Sequence, residues 1–169
     1  MAAARKTKFF PQTLFINLCY NLLMSNYSER ACQNFLNGCN CAQSVLCAFA
    51  DKVGIDEKTL MKLASSFGGG MGKLREVCGA VSAMFMIAGL LKGYSVAGDD
   101  IGKTRQYQLV QDLAHKFKSE HGTIICRELL GLDGEDNPIP SKRTSEYYAS
   151  RPCEDFVRTA SEIIEKELL

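Results

Sequence analysis

Residues 67–80 read Phe-Gly-Gly-Gly-Met-Gly-Lys-Leu-Arg-Glu-Val-Cys-Gly-Ala, and the stretch that follows to Leu91 is almost wholly apolar. Consecutive glycines neither extend a helix cheaply nor offer side chains to pack a strand. The pattern predicts a tight loop feeding a buried helix, with Cys78 at the junction. A helix start carries unpaired backbone N–H groups and a partial positive charge, and both favour a thiolate over a thiol.

The rest of the chain is read by helical periodicity and caps. Ser28 is expected to cap a helix over 29–36, ended by Gly38. Asn40 caps a second over 41–53, with Ala42, Val45, Leu46, Phe49 and Val53 inward. Asp56 caps a third over 57–67 that buries Leu60, Leu63, Ala64 and Phe67. The helix from Val77 or Cys78 to Leu91 lacks a polar face, which predicts a central buried element, too short to span a bilayer. Asp99 or Asp100 opens the longest helix, which turns Leu109, Val110, Leu113, Ala114 and Phe117 inward and stops at His121-Gly122. Thr123 caps a short helix over 124–130, and 144–149 makes one turn. Arg151-Pro152-Cys153 opens the last helix, with Phe156, Val157, Ala160, Ile163, Ile164 and Leu168 on one face. No segment reads as a strong strand. The expected class is all-α, a bundle of about six helices around the apolar helix at 78–91.

The chain has 169 residues, 46% of them hydrophobic and 23% charged, which suits one soluble domain. Its net charge of +1 gives no bulk attraction to nucleic acid or an anionic membrane. Residues 1–23 place Arg5, Lys6 and Lys8 before an apolar stretch. They lack the small-residue cleavage pattern of a secretory leader and are too short and polar for a membrane span. They predict a poorly anchored extension, with Met24 as the natural start and a single helical, cysteine-rich domain over 24–169 in the cytoplasm.

Eight cysteines stand out: Cys19, Cys32, Cys39, Cys41, Cys47, Cys78, Cys126 and Cys153. The chain is too long and too rich in core residues for a disulfide-stapled miniprotein, so in a cytosolic setting they point to redox or metal chemistry. Cys19, Cys32 and Cys47 read as small buried hydrophobes. Cys41, Cys78, Cys126 and Cys153 each fall in the first turn of a predicted helix. Helix starts brought together would make an electropositive pocket in which thiolates exchange disulfides or ligate a metal.

Other motifs are weaker. There is no Cys-x-x-Cys, so neither a zinc nor an iron–sulfur site is signed by spacing. The glycine loop is not a phosphate loop: Phe67 stands where the first glycine belongs, and Leu74 follows Gly72-Lys73 in place of Ser or Thr. It is also not the Gly-x-Gly-x-x-Gly turn of dinucleotide-binding folds. Gly69, Gly70 and Gly72 are expected to shape a close approach to whatever binds at Cys78, with Lys73 and Arg75 either adding positive charge there or simply solvated. His115 and His121 are tied to no nucleophile, and Met71, Met84 and Met86 read as core filling before copper ligands.

Taken together, Asn-Cys-Ala-Gln at 40–43, the glycine loop into Cys-Gly-Ala at 78–80, Cys126 before Arg-Glu-Leu-Leu-Gly, and Arg-Pro-Cys at 151–153 resemble the C_GCAxxG_C_C family of redox-active proteins. The resemblance covers roughly residues 28–168 and maps its four cysteines onto Cys41, Cys78, Cys126 and Cys153. The family's Cys-Gly-Ala-x-x-Gly calls for glycine where this chain has Ala83, and Cys39 lies outside its pattern. The leading expectation is reversible thiol–disulfide chemistry. Cys78 is the most nucleophilic thiol, Cys41 its resolving partner, and Cys126 and Cys153 a second pair or the completion of the site. The redox partner is unidentified, and the apolar helix permits a homodimer. The alternatives are a metal or iron–sulfur protein with the same four thiolates as ligands, and a helical interaction protein with inert buried cysteines.

Overall fold

The computed structural model describes residues 26–133 and 137–169. The expectation for residues 1–23, and Cys19 within them, lies outside the described residues. The described chain is all-α. It forms no strand, and its one isolated bridge pairs Val77 with Ile125 in antiparallel sense.

Helix α1 (Tyr27–Leu36) starts two residues earlier than expected, because Asn26 rather than Ser28 caps it: Asn26 Oδ1 accepts from the Ser28 N–H at 3.0 Å. The Ser28 hydroxyl donates to the same oxygen and is fully buried. Helix α2 (Cys41–Ala48) begins with a full capping box. The Gln43 N–H donates to Asn40 Oδ1 at 2.9 Å, and Gln43 Oε1 accepts from the Asn40 N–H at 3.0 Å. The helix expected to continue to 53 breaks at Phe49, whose buried ring stacks 4.6 Å from that of Tyr27. A short α3 (Ala50–Val53) follows and ends at left-handed Gly54.

Asp56 caps α4 (Glu57–Ala64), which tightens into a 3-10 turn over Ser65–Phe67. Leu60 and Ala64 are buried, but Leu63 is 48% exposed, against expectation. The helix leans mainly on α2, so one narrow i, i+4 stripe is all that it buries.

Helix α5 (Gly79–Lys92) has Cys78 as its N-cap rather than inside its first turn. Gly79–Met84, Ile87 and Ala88 are buried against α2 and the helices that follow, whereas Gly89, Leu90 and Lys92 are exposed. Burial on every side therefore ends one turn before the apolar sequence does. Helix α6 (Asp100–His121), capped by Asp99 and stopped at Gly122, buries only Leu113 and Phe117 fully; Leu109, Val110 and Ala114 are partly covered. The short α7 (Cys126–Leu129) starts two residues later than expected, with Ile125 as its cap. Thr144 caps α8 (Ser145–Ala149). Helix α9 (Cys153–Leu168) buries all six of its expected core residues and packs on α1, α2, α5 and α6. Among the described residues no helix is long and apolar enough to cross a membrane.

Candidate functional site

The loop between the 3-10 turn and α5 assembles the site. Gly68–Met71 makes one irregular turn in which Gly69 (φ 65°) and Gly70 (φ 70°) are left-handed. Three residues that are not glycine share that conformation: Met71 (φ 60°), Lys73 (φ 67°) and Arg75 (φ 63°). L-residues adopt it only where surrounding contacts compensate. Those contacts lie further along the chain. The Cys78 N–H donates to the Ile124 carbonyl at 2.8 Å, the Cys126 N–H to the Glu76 carbonyl at 2.7 Å, and the Arg127 N–H to the Arg75 carbonyl at 3.0 Å. Residues 75–78 are thus stitched along 124–127, which sets Cys78 and Cys126 side by side.

Two glycines set the spacing. A Cβ on Gly79 would lie 2.8 Å from Cys41 Sγ and 2.6 Å from the Phe67 carbonyl oxygen. A Cβ on Gly70 would lie 2.6 Å from Cys126 Cβ. Real Cβ atoms do not approach so closely, so the start of α5 seats against Cys41, and the loop against Cys126, only because glycine stands there. Gly69 lines the same space as Cys41, and Gly72 sits further out, at the rim.

A cavity of about 50 Å³ opens at this meeting point. Cys41, Cys78, Cys126 and Cys153 all line it, on four different elements, together with Arg75, Arg143, Tyr147 and Arg151. Its apolar wall includes Phe35, Leu129, Leu130 and Phe156. It adjoins a wider vestibule of about 260 Å³ lined by Lys73, Ser141 and the same three arginines.

The four thiols differ electrostatically. Cys41 is held down to about 6, first by a hydrogen bond from the Cys78 thiol and then by N–H groups of Gly69 and of the first turn of α2. Cys78 is pushed well above its ordinary value, because it gives its proton to that hydrogen bond and is buried. Burial raises Cys126, moderated by Arg75, whose Nη1 lies 4.0 Å from its sulfur. Burial, with the Cys41 charge adding, pushes Cys153 up to about 12. Within the Cys41–Cys78 pair the direction therefore favours the thiolate at Cys41. The remaining described cysteines stand apart from the cavity. Cys32 and Cys47 are buried and pushed up to about 11, as core thiols should be, and Cys39 is raised by burial as well.

Although the four cysteines face one cavity, no three Cys, His, Asp or Glu side chains among the described residues converge closely enough to ligate one ion. Neither histidine lines the cavity. His121 bonds Thr159 Oγ1 at 2.9 Å and packs on Phe117 and Phe156. Met84 is core, Met86 is partly buried, and Met71 is 37% exposed. Of the two basic residues in the loop, Arg75 is buried in the cavity wall, while Lys73 Nζ reaches the Ile139 carbonyl at 2.6 Å at the vestibule rim.

Sequence reasoning missed Arg143, Tyr147 and Arg151. Arg143 sits 4.7 Å from the ring centres of both Phe35 and Tyr147 and donates to the Cys39 carbonyl at 3.2 Å. Arg151 stacks 5.1 Å from Tyr147. Arg151 is two residues from Cys153, a local hint. Arg143 and Tyr147 fall in a polar stretch whose pattern says nothing of where it folds.

No curated protein and no solved structure matches this chain. The family model described as "Putative redox-active protein (C_GCAxxG_C_C)" matches residues 39–167, a span that contains all four cavity cysteines. The chain belongs to the C_GCAxxG_C_C family.

Proposed function

We propose that the cavity is a dithiol redox centre in which Cys41 attacks and Cys78 resolves. The observation that carries this reading is the meeting of Cys41 and Cys78 in one cavity at two packed helix starts, where a Cβ on Gly79, the residue next to Cys78, would lie 2.8 Å from Cys41 Sγ. A half-buried thiolate facing a protonated thiol across one cavity has the two groups that a disulfide exchange needs. The Cys41 thiolate attacks one sulfur of a disulfide. The S–S bond breaks, and the leaving thiolate takes a proton from water. Cys78 then gives up its proton as its sulfur attacks Cys41, releasing the second small thiol. The products are a Cys41–Cys78 disulfide and two thiols; two electrons pass to the substrate, and an external thiol returns the protein to its dithiol state. Cys126 and Cys153 line the same space as protonated thiols.

The test is a redox titration with peptide mapping. The expected oxidised form carries a reversible Cys41–Cys78 link, which Cys41→Ser abolishes. A reversible link that maps to Cys126 and Cys153 and survives Cys41→Ser would overturn the assignment.

A further inference from the structure

The cavity and vestibule share Arg75, Arg143 and Arg151, with Lys73 at the outer rim, and no Asp or Glu among the described residues lines either space. Arg143 and Arg151 form no ion pair among the described residues, and Arg143 Nη1 is buried without a hydrogen-bond partner there. A buried guanidinium N–H left unbonded is costly and is satisfied by an anionic oxygen arriving from outside. These charges are not what holds the Cys41 thiolate, which is favoured by Cys78, by Gly69 and by the first turn of α2.

We propose that the substrate of this thiol centre is a low-molecular-weight disulfide bearing an anionic group, which Arg143 and Arg151 receive in the vestibule while its sulfur reaches Cys41. This rests on the thiol reading above and adds the substrate class. Size supports it. The inner space of about 50 Å³ holds roughly three or four water-sized groups, enough for a sulfur and its neighbouring methylene. The outer space of about 260 Å³ takes the charged end. Charge supports it too. An anion approaching a thiolate is repelled, and a cationic mouth with low-dielectric walls reverses the sign of that encounter.

The test compares two disulfides of similar length, the disulfonate bis(2-sulfonatoethyl) disulfide and the neutral bis(2-hydroxyethyl) disulfide. The readout is the rate of appearance of the Cys41–Cys78 link by mass. In low salt the disulfonate is expected to react faster by about tenfold, the low end of steering by a charged cleft. Salt at about 0.5 M, where screening acts within a few ångströms, should remove most of that advantage. In Arg143→Gln and Arg151→Gln the ratio of the two rates should fall at least about threefold. Equal rates in the unaltered protein, or an advantage that ignores salt, would overturn the substrate class and leave the thiol chemistry standing. Reaction with neither disulfide would overturn both.

Discussion

Removing the Cys78 thiol tests the origin of the Cys41 thiolate most directly. In Cys78→Ala the hydrogen bond that most strongly lowers Cys41 disappears, while the N–H groups of Gly69 and α2 remain. A hydrogen bond to a charged group contributes about 1.5–3 kcal/mol, and one pKa unit corresponds to about 1.36 kcal/mol. The Cys41 midpoint should therefore rise by roughly one to two units, from about 6 to about 7 or 8. A rate at one pH would hide this. At pH 7 the thiolate fraction falls by up to about tenfold, but a more basic thiolate is more nucleophilic by about threefold per unit, so the two nearly cancel. The assay is the full pH profile of iodoacetamide labelling at Cys41, read by peptide mass between about pH 5 and 10. The midpoint should move up, and the alkaline plateau should rise several-fold. Cys78→Ser keeps a hydroxyl donor and should hold the midpoint nearer that of the unaltered protein. A midpoint in Cys78→Ala within about 0.3 units of the unaltered protein's would refute the reasoning, as would equal shifts in the Ala and Ser variants.

Stability should also depend on pH in a definite sense. Cys41 sits at about 6 in the fold against an ordinary 9.0, so between those values the unfolded chain binds more protons there and stability rises with pH, by at most about 1.4 kcal/mol per unit. Cys32, Cys47 and Cys153 are raised to about 11, 11 and 12, so their contribution is complete below 9.0 and is lost as pH climbs through those values. Urea midpoints should increase from pH 6 toward 9 and decline beyond; a steady fall from pH 6 to 9 contradicts the Cys41 assignment. Gly79→Ala should destabilise by about 1–3 kcal/mol through overpacking on the Phe67 carbonyl and Cys41. Gly89→Ala, exposed in the same helix with only Gln106 Nε2 at 4.0 Å, should stabilise by about 0.5–1 kcal/mol in the same urea measurement. Equal effects of the two substitutions would mean that close packing at the start of α5 is not what selects glycine there.

Much of this protein is legible in local sequence, because caps and periodicity act over a few residues. Asn40, Asp56 and Asp99 each mark a helix start that the structure keeps, and the buried stripe of α9 follows its spacing residue for residue. The same short-range signals put Cys41, Cys78, Cys126 and Cys153 at helix beginnings. Other features come from contacts between distant segments. Periodicity alone does not say that Leu63 lacks a neighbouring helix, or that the last turn of α5 is left uncovered. The convergence of the four cysteines depends on the backbone bonds between 75–78 and 124–127 and on the Cβ-free surfaces of Gly70 and Gly79. Arg143, Tyr147 and Arg151 reach the thiols only once the segment after residue 137 folds back over the end of α1 and the turn into α2, where Arg143 donates to the Cys39 carbonyl and Tyr148 to the Leu36 carbonyl. The choice of Cys41 over Cys78 as the anion is tertiary for the same reason. Both thiols stand at helix starts, so the local field does not separate them; Cys41 has in addition the Gly69 N–H, on a segment remote from it in sequence.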